Sequence, residues 1–171
     1  MVCYIYCKIN DSELLVNEDD PEDIKSYMLR SNQYDKVGKK YLRKVKIGTY
    51  KNGYKYFKMT MFGKKKHIKL HRLNYYAHNQ DWDINDNSKN NHIDHIDRNR
   101  SNNHISNLRV VTHQQNCFNK TCKGYYWYAQ RNKWRSIIVV NGKSKHLGLH
   151  NTEEEARKCY LENKKIYHNI I

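Results

Sequence analysis

The sequence predicts an α+β protein built of two small modules. Three observations carry this. Runs of β-patterned residues are punctuated by Asn-Gly turns. A stretch rich in Asn, Asp and His is closed by a short strand and a capped helix. Beyond Lys123 the pattern changes to β-β-β-α.

The elements follow in order. Residues 1–37 form an acidic N-terminal segment, with eight Asp and Glu against four Lys and Arg. Within it Asp20-Pro21-Glu22-Asp23 has the form of a helix start, with Pro at the first helical position, and a short helix to about Arg30 is expected. The first module spans 38–120. Tyr41–Ile47 reads as a strand that turns at Asn52-Gly53 and returns along Tyr54–Met59. A second turn at Gly63-Lys64-Lys65 leads to a strand over His67–Leu70, and His71–Ala77 reads as a short helix. Residues 85–107 read as a long polar loop, of the kind that inside a compact domain is usually functional. Leu108–Val111 is a strand. Thr112 and Gln115 form a capping box that starts a helix at about His113 and puts Asn116 in its first turn.

The second module spans 121–171. Its strands are Gly124–Ala129, Trp134–Val140 and Ser144–Gly148, with Arg131-Asn132-Lys133 and Asn141-Gly142 as turns. Thr152-Glu153-Glu154-Glu155 caps the last helix, which carries Ala156, Cys159, Tyr160 and Tyr167 at helical spacing.

Composition bounds the function. Net charge is +15, concentrated beyond residue 37, and Tyr is abundant at 15 residues. A basic, aromatic-rich surface suits a polyanion, and nucleic acid is the expected partner. No apolar run approaches the roughly 20 residues that span a bilayer, and no basic amphipathic helix suggests membrane association. The N-terminus lacks the form of a signal peptide. The five Cys fit no disulfide framework, so the chain is expected to be intracellular, whether cytoplasmic, nuclear or in a viral factory, and not secreted.

The chemistry concentrates in Asp94-His95, Asn102-Asn103, Asn107 and Asn116. Hydrolysing a phosphodiester takes a base that titrates near neutrality, which His supplies. It also takes a hard cation held by oxygen donors, which Asp and Asn supply. Other His residues, including His67, His104 and His146, read as surface or packing residues. Cys117 and Cys122 have no second Cys pair to complete a zinc site.

From about Tyr41 to Lys120 the series resembles the ββα-metal active site of HNH endonucleases, in particular homing endonucleases. The resemblance makes His95 the general base, and Asp94 and Asn116 the metal ligands. It makes Asn107, twelve residues after His95, the central Asn that braces the loop by backbone hydrogen bonds. Asn102-Asn103 matches the family's loop pair, and His71-Arg72-Leu73 its short upstream segment. The family often has Gly where Arg98 stands. His92-Ile93-Asp94 nearly repeats His95-Ile96-Asp97, and His95 fits the spacing to the following Asn residues whereas His92 lengthens each by three. The resemblance implies one divalent cation, Mg²⁺ or Mn²⁺.

Residues 123–170 resemble the DNA-binding domain of plant ethylene-response factors, through Gly124, Trp127, Lys133-Trp134-Arg135, Asn141-Gly142-Lys143 and Leu147-Gly148. In that family the sheet lies in the major groove. The expected DNA contacts are Trp127, Arg131, Lys133, Trp134, Arg135, Lys143 and Lys145, joined in the first module by Arg72, Arg98 and Arg100. Each Trp serves equally well as core. The reading is a metal-dependent endonuclease acting on double-stranded DNA, with a homing role and monomer as the default state, a dimer being the alternative. A restriction or repair nuclease, or a DNA-binding regulator with an unused nuclease site, are the other readings.

Overall fold

The computed structural model describes residues 2–32, 35–61 and 64–168, and falls into two compact units, Met1–Val110 and Val111–Ile171.

The first unit opens with a four-stranded antiparallel sheet, β1 (Tyr4–Ile9), β2 (Ser12–Asn17), β3 (Ile24–Asn32) and β4 (Asp35–Lys44), in that order. Alternation decides its faces. Cys7 pairs with Leu14 and Ile5 with Val16, so Cys7, Ile9, Leu14 and Val16 share one face and are buried. A three-stranded antiparallel sheet follows, β5 (Ile47–Thr49), β6 (Lys55–Met61) and β7 (Lys64–Lys69). It buries Phe57 and Met59 on the side where Ile47 and Ile68 pair with Phe57. β7 runs directly into α1 (Leu70–His78), whose Leu70, Leu73 and Ala77 recur at helical spacing and are buried. These residues form one core with Cys7, Ile9, Leu14, Val16 and Ile24, so the first 37 residues and the segment after them share it. A two-stranded ribbon, β8 (His92–His95) and β9 (Leu108–Val111), completes the unit.

Three expectations are corrected here. The helix expected from Pro21 to about Arg30 is strand β3. Asp20-Pro21-Glu22-Asp23 forms a tight turn instead, with Asp20 Oδ1 accepting from Glu22 N and Asp20 O from Asp23 N. Beyond it Ile24 enters the core, fully buried, and β3 finds partners in β2 and β4. The strand expected over 41–47 is broken at Val45, whose N–H bonds to Ile24 O. Its first part pairs with β3, and the Asn52-Gly53 hairpin joins β5 to β6. The polar stretch 85–107 contains a strand, β8. Of the turn expected at Gly63, that residue lies outside the described residues.

The second unit holds α2 (His113–Asn119), a three-stranded antiparallel sheet of β10 (Tyr125–Tyr128), β11 (Lys133–Val140) and β12 (Lys143–His150), and α3 (Glu153–Tyr167). Both helices start in capping boxes, at Thr112 with Gln115 and at Thr152 with Glu155. α3 covers one face of the sheet: Ser136 Oγ donates to Ala156 O (2.8 Å), and Ile138, Ala156 and Tyr160 are buried between them. Gly124 has a φ of +66° and lies so close to the Tyr160 ring that a Cβ would come within 2.1 Å of it. α2 is fastened to this unit by Phe118, stacked on His168 at 3.9 Å, and by Lys164 Nζ, which donates to Lys120 O. Among the described residues no helix is long and apolar enough to cross a membrane.

Candidate active site

β8 ends at His95, directly after Asp94. On a continuing strand Asp94 and His95 would point to opposite faces. Here the chain turns at once, with Arg98 N donating to His95 O (2.9 Å), and both residues are buried. Arg98 has a φ of +66°, the left-handed region that glycine adopts without penalty.

Asp94 is gripped from β9 by Arg109. The guanidinium Nε (3.1 Å) and Nη2 (3.0 Å) both donate to Asp94 Oδ2. His95 Nε2 lies 3.1 Å from Asn103 Oδ1. Asn103 Nδ2 donates to Ser101 O (3.1 Å), which leaves Oδ1 as the acceptor facing the ring. Facing that acceptor, Nε2 is the ring nitrogen that donates. Burial pushes the His95 pKa below the ordinary histidine value. The bond to Asn103 and the charges of Asp97 and Asp94 oppose that shift only in part. The ring therefore stays neutral to lower pH than a solvated histidine.

Asn107 closes the loop between β8 and β9. Its Oδ1 accepts from Asp97 N (3.0 Å), while Nδ2 donates to Asn102 O (2.8 Å) and Asp97 Oδ1 (2.9 Å). Its backbone carbonyl accepts from Ile96 N (2.9 Å). Asp97 also accepts from Asn102 Nδ2, the largest cause of its lowered pKa.

Helix α1 supplies a layer in which sequence reasoning named His71 only as part of an upstream segment and did not single out Asn74. The His71 ring meets His95 edge-on at 5.1 Å and lies 5.2 Å from Tyr54, which is itself 5.9 Å from His95. Asn74 Nδ2 donates to Asn103 O and to Pro21 O, both at 3.2 Å. His71 and Asn74 sit three residues apart on the face that buries Leu70 and Leu73. A polar pair on an apolar helix face was the available signal. Burial drives the His71 pKa well below its ordinary value, helped by the charges of His95, Lys69 and Arg72. His71 Nδ1 and Asn74 Oδ1 are buried without a hydrogen-bond partner.

The expected DNA-contacting residues divide. The Arg72 guanidinium donates to the carbonyls of Ile84, Asp86 and Asn91 and lies over the Trp82 ring, so it holds the 84–91 segment. Arg100 donates to Asn52 O and covers the Tyr54 ring, and Arg98 is exposed. In the second unit, register splits the sheet candidates. Trp127 pairs with Trp134 on the side of Ser136 and Ile138, but at the end of the sheet it is itself exposed. Lys143 and Lys145 pair with Val140 and Ile138 on that same side, and the Lys145 amine bonds to the Tyr167 hydroxyl on α3. Lys133 and Arg135 lie on the opposite, open face with Tyr126 and Tyr128, and Arg131 is exposed at the end of the sheet. Asn116 sits in the first turn of α2, half-buried.

Among the described residues no cluster of three or more His, Cys, Asp or Glu side chains could hold a metal.

Comparison with known proteins gives the site its relatives. Residues 69–117 match the family model described as HNH endonuclease. A curated protein of Acanthamoeba polyphaga mimivirus, an uncharacterized HNH endonuclease, is 40% identical over 73 residues, which cover 40% of this chain and 38% of that relative. No solved structure matches. The likeness to HNH endonucleases thus lies in residues 69–117, the segment that holds α1, β8, β9 and most of α2.

Proposed function

We propose that the protein is a divalent-metal-dependent endonuclease that hydrolyses phosphodiester bonds of double-stranded DNA, with the site preference of a homing enzyme. The observation that carries this reading is the geometry around His95. A buried histidine, kept neutral by its surroundings, ends a strand beside a carboxylate and is oriented through Nε2 by Asn103.

In this reading His95 takes the proton of the attacking water. Asn103 fixes the ring, and Asn107 fixes the loop that carries both. Asp94, held through Oδ2 by Arg109, would hold the cation, and the second oxygen ligand is assigned to Asn116 by the resemblance alone. The bound ion supplies stabilisation of the departing oxygen and the added phosphoryl charge. The open face of the second unit's sheet, with Lys133 and Arg135 and with Arg131 at its end, supplies affinity for duplex DNA.

The test is cleavage of supercoiled DNA carrying candidate targets, with Mg²⁺ or with EDTA, by the natural protein and by His95→Ala. Metal-dependent conversion to open-circle or linear DNA, lost in the variant, is the expected result. Tight binding without cutting under every metal tried points instead to a DNA-binding regulator.

A further inference from the structure

The β5–β6–β7 sheet has a second face, opposite the core. Register puts Gly48, Tyr56 and Lys69 in one row across it, Lys58 and His67 in the next, and Thr60 and Lys65 in the third. Lys58, Lys65, His67 and Lys69 are exposed. The Tyr56 ring lies flat over Gly48, where a Cβ would come within 2.7 Å of it. That ring stacks on His67 at 4.4 Å with 12° between the planes, and Tyr50 packs beside it at 4.2 Å. Tyr50 is bonded to His67 Nδ1 through its hydroxyl (2.8 Å). The result is a rigid aromatic ridge set among lysines, and no carboxylate stands in these rows. Four acidic residues of this unit form ion pairs elsewhere: Glu13 with Lys40, Glu22 with Lys55, Asp23 with Lys44 and Asp94 with Arg109.

The face also leads somewhere. Lys69 lies over one ring, Tyr54 (5.3 Å to its centroid), which Arg100 also covers (4.9 Å). The same ring contacts His71 and His95. A basic, aromatic surface therefore runs from Lys65 and Lys58 through Lys69 to the edge of the candidate active site. We propose that this sheet face binds the phosphate backbone of the DNA beside the bond to be cut, with Lys58, Lys65 and Lys69 neutralising phosphates and the Tyr50–Tyr56–His67 ridge fixing the sheet against the groove wall. The proposal rests on the nuclease reading. It adds a DNA-binding surface in the first unit to the one in the second.

The experiment measures duplex affinity across a range of salt concentrations in a full-length His95→Ala background, so that nothing is cut. Three proteins are compared: that parent, the parent with Lys58→Ala, Lys65→Ala and Lys69→Ala, and the parent with Lys8→Ala, Lys66→Ala and Lys89→Ala, which removes the same charge from exposed positions off this face of the sheet. All six lysines are exposed, and equal thermal midpoints check that the variants fold alike. The sheet-face variant should bind about tenfold or more weakly, with a log–log salt slope shallower by roughly 2 to 3, as loss of three phosphate contacts implies. The control variant should change by about threefold or less, its lost charge acting only at long range. If both triple variants match each other, the sheet face is not a DNA surface and this inference falls while the nuclease reading stands. A parent protein that retains no duplex at low salt overturns the nuclease reading and this inference together.

Discussion

His71 and His95 meet edge to face with ring centroids 5.1 Å apart, one from α1 and the other from the end of β8. His71 is buried and its pKa is pushed well below the ordinary value, so in the folded protein it stays neutral as pH falls. In the unfolded chain it takes up a proton below about pH 6.5. Between the folded and unfolded values the unfolded state binds more protons, so stability rises with pH there and is lost as pH drops. Thermal midpoints measured from pH 7.5 down to 5.5 should fall for the natural protein. In His71→Asn the fall should be smaller, by up to about 1.4 kcal/mol per pH unit crossed. Equal slopes in the two proteins would show that His71 is not a buried neutral group.

Asn103 should matter to rate and not to binding. Its Oδ1 receives the His95 ring, and its backbone carbonyl is held by Asn74. Asn103→Leu keeps the bulk and removes the acceptor. The expected loss is about a hundredfold in kcat, the low end of what a positioned base contributes. DNA affinity should stay within about threefold. Single-turnover cleavage beside a binding titration separates the two, and an affinity loss matching the rate loss would refute an orienting role.

Asn107→Ala should loosen the loop itself. Three side-chain hydrogen bonds disappear, at a net value of about 1 kcal/mol each, so unfolding free energy should drop by about 2–3 kcal/mol. Hydrogen exchange gives the local readout. The Asp97 amide, bonded to Asn107 Oδ1, should exchange faster, whereas amides of the β1–β2 pair should change only by the global loss.

Gly124→Ala should destabilise the second unit. The position needs a left-handed backbone, and the new methyl would overlap the Tyr160 ring, which is buried against the sheet. A cost of about 2 kcal/mol or more follows from strain and displaced packing together. Calorimetry should show a lowered transition for that unit. An unchanged melt would mean that Tyr160 moves aside freely.

What the sequence disclosed depended on how local the signal was. The elements after residue 120 were legible because their turns and caps are written in adjacent residues, Asn141-Gly142 and Thr152 to Glu155. The segment after Pro21 misled for the same reason. Asp-Pro-Glu-Asp opens a turn as readily as a helix, and the choice was made by β2 and β4, far away in sequence. Asp94, His95 and Asn107 stood out through residue type, spacing and the resemblance to HNH endonucleases. Arg109 did not, because its partner is known only once β8 and β9 lie side by side. Arg72 looked like a phosphate contact because a charge in sequence does not reveal that backbone carbonyls will surround it.

The shared core has a consequence for where the matched segment could be cut free. The family match begins at Lys69, yet Leu70, Leu73 and Ala77 share a core with Cys7, Leu14, Val16, Ile24, Phe57 and Met59, all upstream of it. Asn74 bridges Asn103, in the loop between β8 and β9, to Pro21. A fragment trimmed to the matched residues would present that helix face bare to water, an invitation to aggregation. A shortened protein that is to fold must keep the upstream sheets or find substitutes for them.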